Sequence, residues 1–462
     1  MHQRHMKPYV IGTAVVVVLA LSIWAYGFLR TSTSIATQPQ RTQQSSSACQ
    51  NAGITVGPDQ DLFMQQVIDR EPSGAVVHLK PGTYRTNVLI TKSLTLCGEG
   101  PQQTILEGFQ PRRPVLRIRN PEVIEVTVEG LAITKAKTNP FNLDGGAVDI
   151  PGSTPDHPYP NHAQVALKNV TISASEGDGM TIRVAKVDDT YSTKDVRLTL
   201  QDVEISNNRY FGLASGNANV ELRNVLFSNN GIAEQSDMCA AIAIGEKSNN
   251  FVLQDSKIIG NHCDGLFISG EGNRAEGDNA LIQNVQILNN PGKGIWVTGN
   301  VTATITDVSV DRSSVGILLG IGLGTPHLSL LRAKISHSSI NGIQVDTLGV
   351  AKLQEVSIED SGIDPTCQQL PVKSLDILQG CVGLGVTREA QVTLVDSKIR
   401  GSARWGIAAE LGKCGYFRDE FIGKLTFEGR NVLESNNKSG NQKGNPGDHP
   451  FKNSPDGQVC LP

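Results

Sequence analysis

The residue types that could do chemistry fall at matching places in two consecutive stretches of this chain. Asp264 and Lys293 each immediately precede a glycine, Gly265 and Gly294, and three positions later each is followed by an aromatic, Phe267 or Trp296. If the two stretches stack, the rings form a flat amphipathic platform, with a carboxylate and an ammonium beside it. Sugar rings suit such a surface, because their C–H faces stack on π systems while their hydroxyls reach nearby polar groups. Chemistry on a bound glycan needs more. A glycosidase needs two carboxylates, about 5–5.5 Å apart for retention and about 6.5–9.5 Å for inversion. A lyase or epimerase acting on uronates needs a base at the C5 proton and a cation on the carboxylate. Asp264 with Lys293 or Arg274 fits either role. Glu271, Arg274, Glu276 and Asp278 follow the Phe267 stretch, and His262 adjoins Cys263. Two plainer readings stand beside these. A loop such as 233–240 or 271–280 folds over the rings, or Asp264 and Lys293 are an exposed ion pair of little energetic weight.

A second acidic group, Asp144, Asp149, Asp156, His157 and His162, lies in a Pro-rich insertion. Calcium takes several oxygen ligands from such loops. No EF-hand-like or Gly-Gly-x-Gly-x-Asp spacing occurs, so a solvated loop without cofactor is the expectation. Asp178 and Arg183 flank Gly179 as a further outward pair. No Cys-x-x-Cys pair is present, which argues against zinc.

The stacking these sites require is written in a repeat. The element apolar-x-Asn/Asp-apolar-x-apolar occurs as Leu167–Ile172, Leu200–Ile205, Leu222–Phe227, Ile282–Ile287 and Ile305–Val310, with a Glu variant at Leu353–Ile358. Leu253 and Leu394 open versions with Ser at the fourth place. Three residues beyond each copy comes a small polar residue: Ser175, Asn208, Asn230, Asn261, Asn290, Ser313, Ser338, Ser361 and Ser402. Four residues later there is usually Gly, which opens a short apolar-x-apolar strand. Copies recur every 22 to 33 residues or so, enough for one turn of three short strands. Period-2 alternation gives each strand one inner and one outer face. No single turn buries its apolar face, whereas stacked turns build a continuous core. Equivalent residues then lie about 4.8 Å apart in vertical files, where Asn and Ser side chains bond one another. A leucine-rich horseshoe shares the period but needs a Leu-x-x-Leu-x-Leu signature that is missing. The expected fold is all-β: a single-stranded right-handed parallel β-helix.

In this register the outer file of the strand after Gly reads Thr181, Ala214, Ala243, Phe267, Trp296, Leu318, Gln344, Gly385, Ala408. Cys239 and Cys263 occupy one file on adjacent turns, within the disulfide Cα range of about 4.4–6.8 Å. Cys367–Cys381 closes a local loop, and Cys414–Cys460 and Cys49–Cys97 tie down the ends. An even cysteine count of 8 suits an oxidising compartment.

Open sheet edges need covers. Asp59 to Glu71, with Leu62, Phe63, Val67 and Ile68 at helical spacing behind possible N-caps Asp59 and Asp61, reads as a short helix over the first turn. Segment 436–462 closes the last. Ahead of the body, Tyr9 to Leu29 is an uncharged run of 21 residues, the length of a transmembrane helix. Arg4 and Lys7 precede it, which places the N-terminus in the cytoplasm and the body outside. Cleavage near Ser34–Ile35–Ala36 would secrete the body instead. The expected organisation is a stub and anchor at 1–30, a Ser/Thr/Gln-rich linker at 31–48, the β-helix at 49–435 and a capping tail at 436–462. A net charge of −4 excludes a nucleic-acid partner of the basic-patch kind.

Leu79 to Gly100, with Pro81-Gly82-Thr83-Tyr84 and Leu94-Thr95-Leu96-Cys97-Gly98-Glu99-Gly100, resembles the opening turn of pectin-lyase-like right-handed β-helix proteins, and the repeats extend the likeness over about 60–435. The resemblance implies a carbohydrate partner, a polysaccharide or cell-surface glycan, handled in a groove on an outer sheet. As an enzyme the chain would be a polysaccharide lyase, glycoside hydrolase or uronate epimerase. The family's catalytic signatures are absent: no aspartate pair follows Gln164-Val165-Ala166-Leu167, and neither the Asn-Thr-Asp/Asp-Asp/Gly-His-Gly set nor Trp-x-Asp-His occurs. No catalytic residue carries over. The alternative is a non-catalytic structural or adhesive stalk at the cell surface.

Overall fold

A computed structural model describes residues 53–138, 146–151, 161–183, 196–216, 218–232, 239–245, 250–270, 277–365, 367, 380–409, 411, 414, 421–438 and 458–460. One turn of the solenoid shows the plan of all. Arg197–Gln201 lies on the first face, Glu204–Ser206 on the second and Leu213–Ser215 on the third. Each pairs in parallel with its counterpart in the next turn: Leu200 with Leu222, Ile205 with Phe227, Leu213 with Ile242. The first two faces merge into a 23-stranded sheet, since strands such as His162–Ser173 and Val301–Asp311 run across the bend between them. The third face is a separate 13-stranded sheet. Inner positions alternate into one core of Leu, Ile and Val from Val56 to Val459.

The bends explain the motif. Its third position takes a left-handed backbone, with φ of 57° at Asp202, 52° at Asn224, 51° at Asp255, 53° at Asn284 and 56° at Asp307. Asn and Asp tolerate that region better than other side chains with a Cβ. Stacked carboxylates would repel one another, and this file alternates. Asn224 donates to Asp202, Asn284 Nδ2 donates to Asp255 Oδ1 at 2.7 Å, and Arg332 grips Asp307 with two bonds of 2.7 and 2.9 Å.

At the second bend the small polar residues turn inward. Asn208, Asn230, Asn261 and Asn290 are buried and form a ladder, each Nδ2 donating to the next Oδ1 at 2.9, 3.0 and 3.0 Å. The glycine that opens the third face is there for space. A Cβ on Gly265 would lie 2.6 Å from the carbonyl oxygen of Gly294, and one on Gly294 equally close to that of Gly316.

Strands Ala75–Leu79, Gly82–Thr86, Val88–Ile90 and Leu94–Cys97 follow the expected order of the opening turn. The cap differs in detail. Pro58–Phe63 is a 3-10 helix capped by Gly57, not by Asp59 or Asp61, and Met64–Arg70 is the α-helix. Met64 and Ile68 reach the core, while Leu62 and Phe63 are 68% and 56% exposed. The tighter 3-10 turn rotates those two off the face that uniform helical spacing gives them. At the other end Val459–Cys460 pairs with Ile407–Ala409, adding the last third-face strand. Disulfides join Cys239–Cys263, Cys367–Cys381 and Cys414–Cys460, with Cα separations of 5.5, 5.6 and 5.7 Å. Cys97 is also disulfide-bonded, and its expected partner Cys49 lies outside the described residues. Among the described residues no helix is long and apolar enough to cross a membrane. Tyr9–Leu29 and the linker lie outside them.

Candidate glycan-binding platform on the third face

The outer file of the third face pairs in the register expected from the repeat. Thr181 faces Ala214, then come Ala243, Phe267, Trp296, Leu318, Gln344, Gly385 and Ala408 in unbroken succession. Phe267 and Trp296 are both partly exposed, with ring centroids 4.7 Å apart and planes tilted by 50°. The indole is fixed in orientation, since Trp296 Nε1 donates to Gly320 O at 3.0 Å. Lys293 Nζ lies 4.4 Å from the Trp296 ring centroid, a cation–π contact that leaves a donor at the platform's edge.

The file is not open along its whole length. Leu318 is 2% exposed and Gln344 fully buried, so the exposed part runs through Ala214, Ala243, Phe267 and Trp296 and stops there. Leu318 adjoins Trp296 but adds nothing to the outer surface. Covering of an outer face depends on chain segments beyond the repeat, which file counting does not see.

Asp264 and Lys293 stack as expected and pair at 3.4 Å. Asp264 also accepts the Lys293 backbone N–H on Oδ1 at 2.7 Å. The same device recurs at the equivalent place in other turns: Asp178 Oδ1 accepts Phe211 N–H at 3.1 Å, and Asn341 Oδ1 accepts Val382 N–H at 3.2 Å. A recurring bond of this kind gives Asp264 a role in holding one turn to the next. Burial of Asp264 outweighs the opposing charge and hydrogen bonds of Lys293, so its carboxyl titrates above the ordinary aspartate range. The folded chain then holds that proton to higher pH than the unfolded chain does. Stability falls as pH rises from the unfolded aspartate range through the raised value, and the penalty is complete above it. Asp264→Asn keeps an acceptor for Lys293 N–H, and is expected to remove this slope from a plot of Tm against pH, read from the ordinary aspartate range upward. Parallel curves for the two proteins would contradict the assignment.

Other candidates are placed elsewhere. His262 Nε2 lies 2.8 Å from Asn229 Oδ1 at the second bend. Asp278 is buried at the start of the first-face strand Asp278–Leu288. Asp149, expected in a solvated loop, sits on the strand Val148–Pro151, 1% exposed and 2.8 Å from Arg117 Nε in the same outer file. Its turn lacks the repeat motif, so spacing along the chain does not place it. His162 opens a first-face strand and does not join Asp149. Arg274, Glu271, Glu276, Asp144, Asp156, His157 and the Arg183 side chain lie outside the described residues. Among the described residues no group of three or more His, Cys, Asp or Glu is placed to hold a metal ion.

Residues 159–325 match the family described as right handed beta helix region. No curated protein matches the sequence. Among solved structures, the periplasmic alginate epimerase AlgG is similar over 82% of this chain and 84% of its own, at 10% identity and TM-score 0.48. The A-module of the Azotobacter vinelandii mannuronan C-5 epimerase AlgE6 is similar over 81% of this chain and 92% of its own, at 16% identity and TM-score 0.45. The catalytic unit of the GH87 α-1,3-glucanase from Streptomyces thermodiastaticus strain HF3-3 covers 84% and 70%, at 14% identity and TM-score 0.43. The fold assignment stands on the chain's own strand pairing and on the family match.

Proposed function

We propose that this right-handed parallel β-helix is held outside the cytoplasm by a membrane anchor and binds polysaccharide on the outer surface of its third face. The observation that carries the reading is the pair Phe267–Trp296, two partly exposed rings 4.7 Å apart on a rigid sheet whose core does not need them. Stacked β-strands fix the rings, so little side-chain entropy is lost when a ligand arrives. Ala214 and Ala243 continue the exposed surface as a flat floor. Lys293 supplies a donor at its edge. Loss of glycan binding in the Phe267→Ala/Trp296→Ala protein tests the reading.

Binding is favoured over catalysis, because both Asp264 oxygens are engaged by Lys293, one by its backbone N–H and one by Nζ. A processing reaction would draw its further groups from Glu271, Arg274 or Glu276. Silence toward polyuronates in both unsaturated-sugar absorbance and reducing-end assays supports a binding protein. If the glycan array is silent as well, the stalk reading takes its place.

The anchor rests on Tyr9–Leu29. Full-length chain is expected to stay with the membrane fraction after a high-salt wash and to leave it in detergent, and deletion of residues 1–48 should release the body. A mature N-terminus shortly after Ala36, found by sequencing, would replace the anchor with secretion.

A further inference from the structure

On the first face, away from the aromatic platform, lies an open pocket of about 620 Å³ lined by Glu122, Val123, His162, Gln164, Arg197 and Asn219. Its size is within the usual range for small-molecule sites. Three of these residues belong to one outer file: Gln164 pairs with Arg197, and Arg197 with Asn219. The guanidinium is therefore flanked above and below by neutral amides.

The rim is fixed by hydrogen bonds to backbone, two of Asn161's being buried. Asn161, 1% exposed, donates to Ile118 O at 3.0 Å and to Pro151 O at 2.9 Å, and accepts Ala163 N–H at 3.2 Å. His162 N–H donates to Asn120 O at 3.2 Å, and Asn120 Oδ1 accepts Glu122 N–H at 2.6 Å. These bonds set the start of the strand bearing His162 and Gln164 and the wall bearing Glu122 and Val123.

The charges are arranged for a single acid group. Glu221, in the neighbouring outer file one turn on, is bound by Arg223. Among the described residues Arg197 makes no ion pair, and its planar fork matches an oxyanion. Glu122 on the rim, with Glu125 in the same file as Gln164, would repel a polyanion but accept hydroxyl donors. Val123, 65% exposed, offers an apolar edge. One cation, two amides, an imidazole, a hydroxyl acceptor and an apolar edge describe a ligand with one oxyanion on a polyol. We propose that this pocket binds an oxyanion-bearing sugar, with Arg197 holding the carboxylate, sulfate or phosphate. The assignment is independent of the platform, which lies on another face.

Titration calorimetry of the full-length chain with glucuronate, glucose 6-sulfate, glucose 6-phosphate and glucose tests it. At least one acid sugar is expected to bind saturably and glucose about tenfold or more weaker; the acid that binds identifies the oxyanion. Arg197→Met should lose about tenfold or more, with Arg197→Lys retaining part of the affinity. The Phe267→Ala/Trp296→Ala protein should bind as wild type. Arg197 is exposed, so unchanged Tm in both Arg197 variants is expected and separates lost binding from lost fold. The proposal is overturned by any of four results: no saturable acid sugar, equal binding of glucose, wild-type affinity in Arg197→Met, or loss confined to the platform variant.

Discussion

Asn261→Ala is expected to destabilise the β-helix by about 1–3 kcal/mol, as the buried Asn230 N–H loses its acceptor. Asn261 Oδ1 accepts the Asn230 N–H at 2.9 Å, and its Nδ2 donates to Phe227 O at 3.2 Å. The Asn230 N–H is buried at the second bend, where no strand partner replaces the lost amide, whereas Phe227 O keeps its bond in the pairing of Phe227 with Ile258. The neighbouring amides are less affected, because Asn230 Nδ2 keeps Ile205 O at 2.9 Å and Asn290 Oδ1 keeps the backbone N–H of residue 261 at 3.0 Å. The molecule contains its own control. Ser361 fills the equivalent place in a later turn, and its buried Oγ makes no hydrogen bond. Ser361→Ala should therefore cost much less than Asn261→Ala. Denaturant unfolding of the two variants gives the comparison. Since turns of a solenoid interact mainly with their neighbours, hydrogen exchange at the 230 amide should show where the loss falls. Equal costs at the two positions would show that the ladder's bonds contribute nothing beyond filling space.

Phe267→Ala/Trp296→Ala is expected to lower glycan affinity about a hundredfold, roughly 2.7 kcal/mol, with each single change near tenfold. The two rings are neighbours in one file and would share one ligand, so the single losses are not expected to add cleanly. Trp296→Phe separates stacking from orientation. It keeps a ring but removes the donor that reaches Gly320 O, so it should retain more affinity than Trp296→Ala and less than wild type. Both rings are partly exposed, and the double variant should keep its fold, which circular dichroism dominated by β signal verifies. Unchanged retention on a glycan array and in polyuronate gels would remove the platform from the account.

The two candidate sites differ in how they could be found. Phe267 and Trp296 stood out once the repeats were laid in register, because each occupies the same slot of a strongly repeating turn. Arg197 did not stand out. It lies one strand start away from the repeat motif, and the Pro121–Val123 wall that makes a pocket beside it comes from a part of the chain without the motif. Asp264 was legible as a neighbour of Lys293, but not as a turn-to-turn brace. That role appears only when its oxygen is seen on the Lys293 backbone N–H, and when Asp178 and Asn341 are seen doing the same.

By itself the sequence determined the solenoid, its register through the outer file from Thr181 to Ala408, and the Cys239–Cys263 link between adjacent turns. It did so because a parallel stack converts spacing along the chain into position in space: each turn repeats the last, and files follow by counting. Tertiary structure alone decided which stretches of a file are open. Leu318 and Gln344 share the file of Trp296 yet are buried, and Asp149 left its expected loop for a strand. It also decided that Leu62 and Phe63 face outward, through one turn of tighter helix. Periodicity fixes what each turn owes its neighbours, whereas exposure depends on segments that do not repeat and whose packing no count along the chain contains.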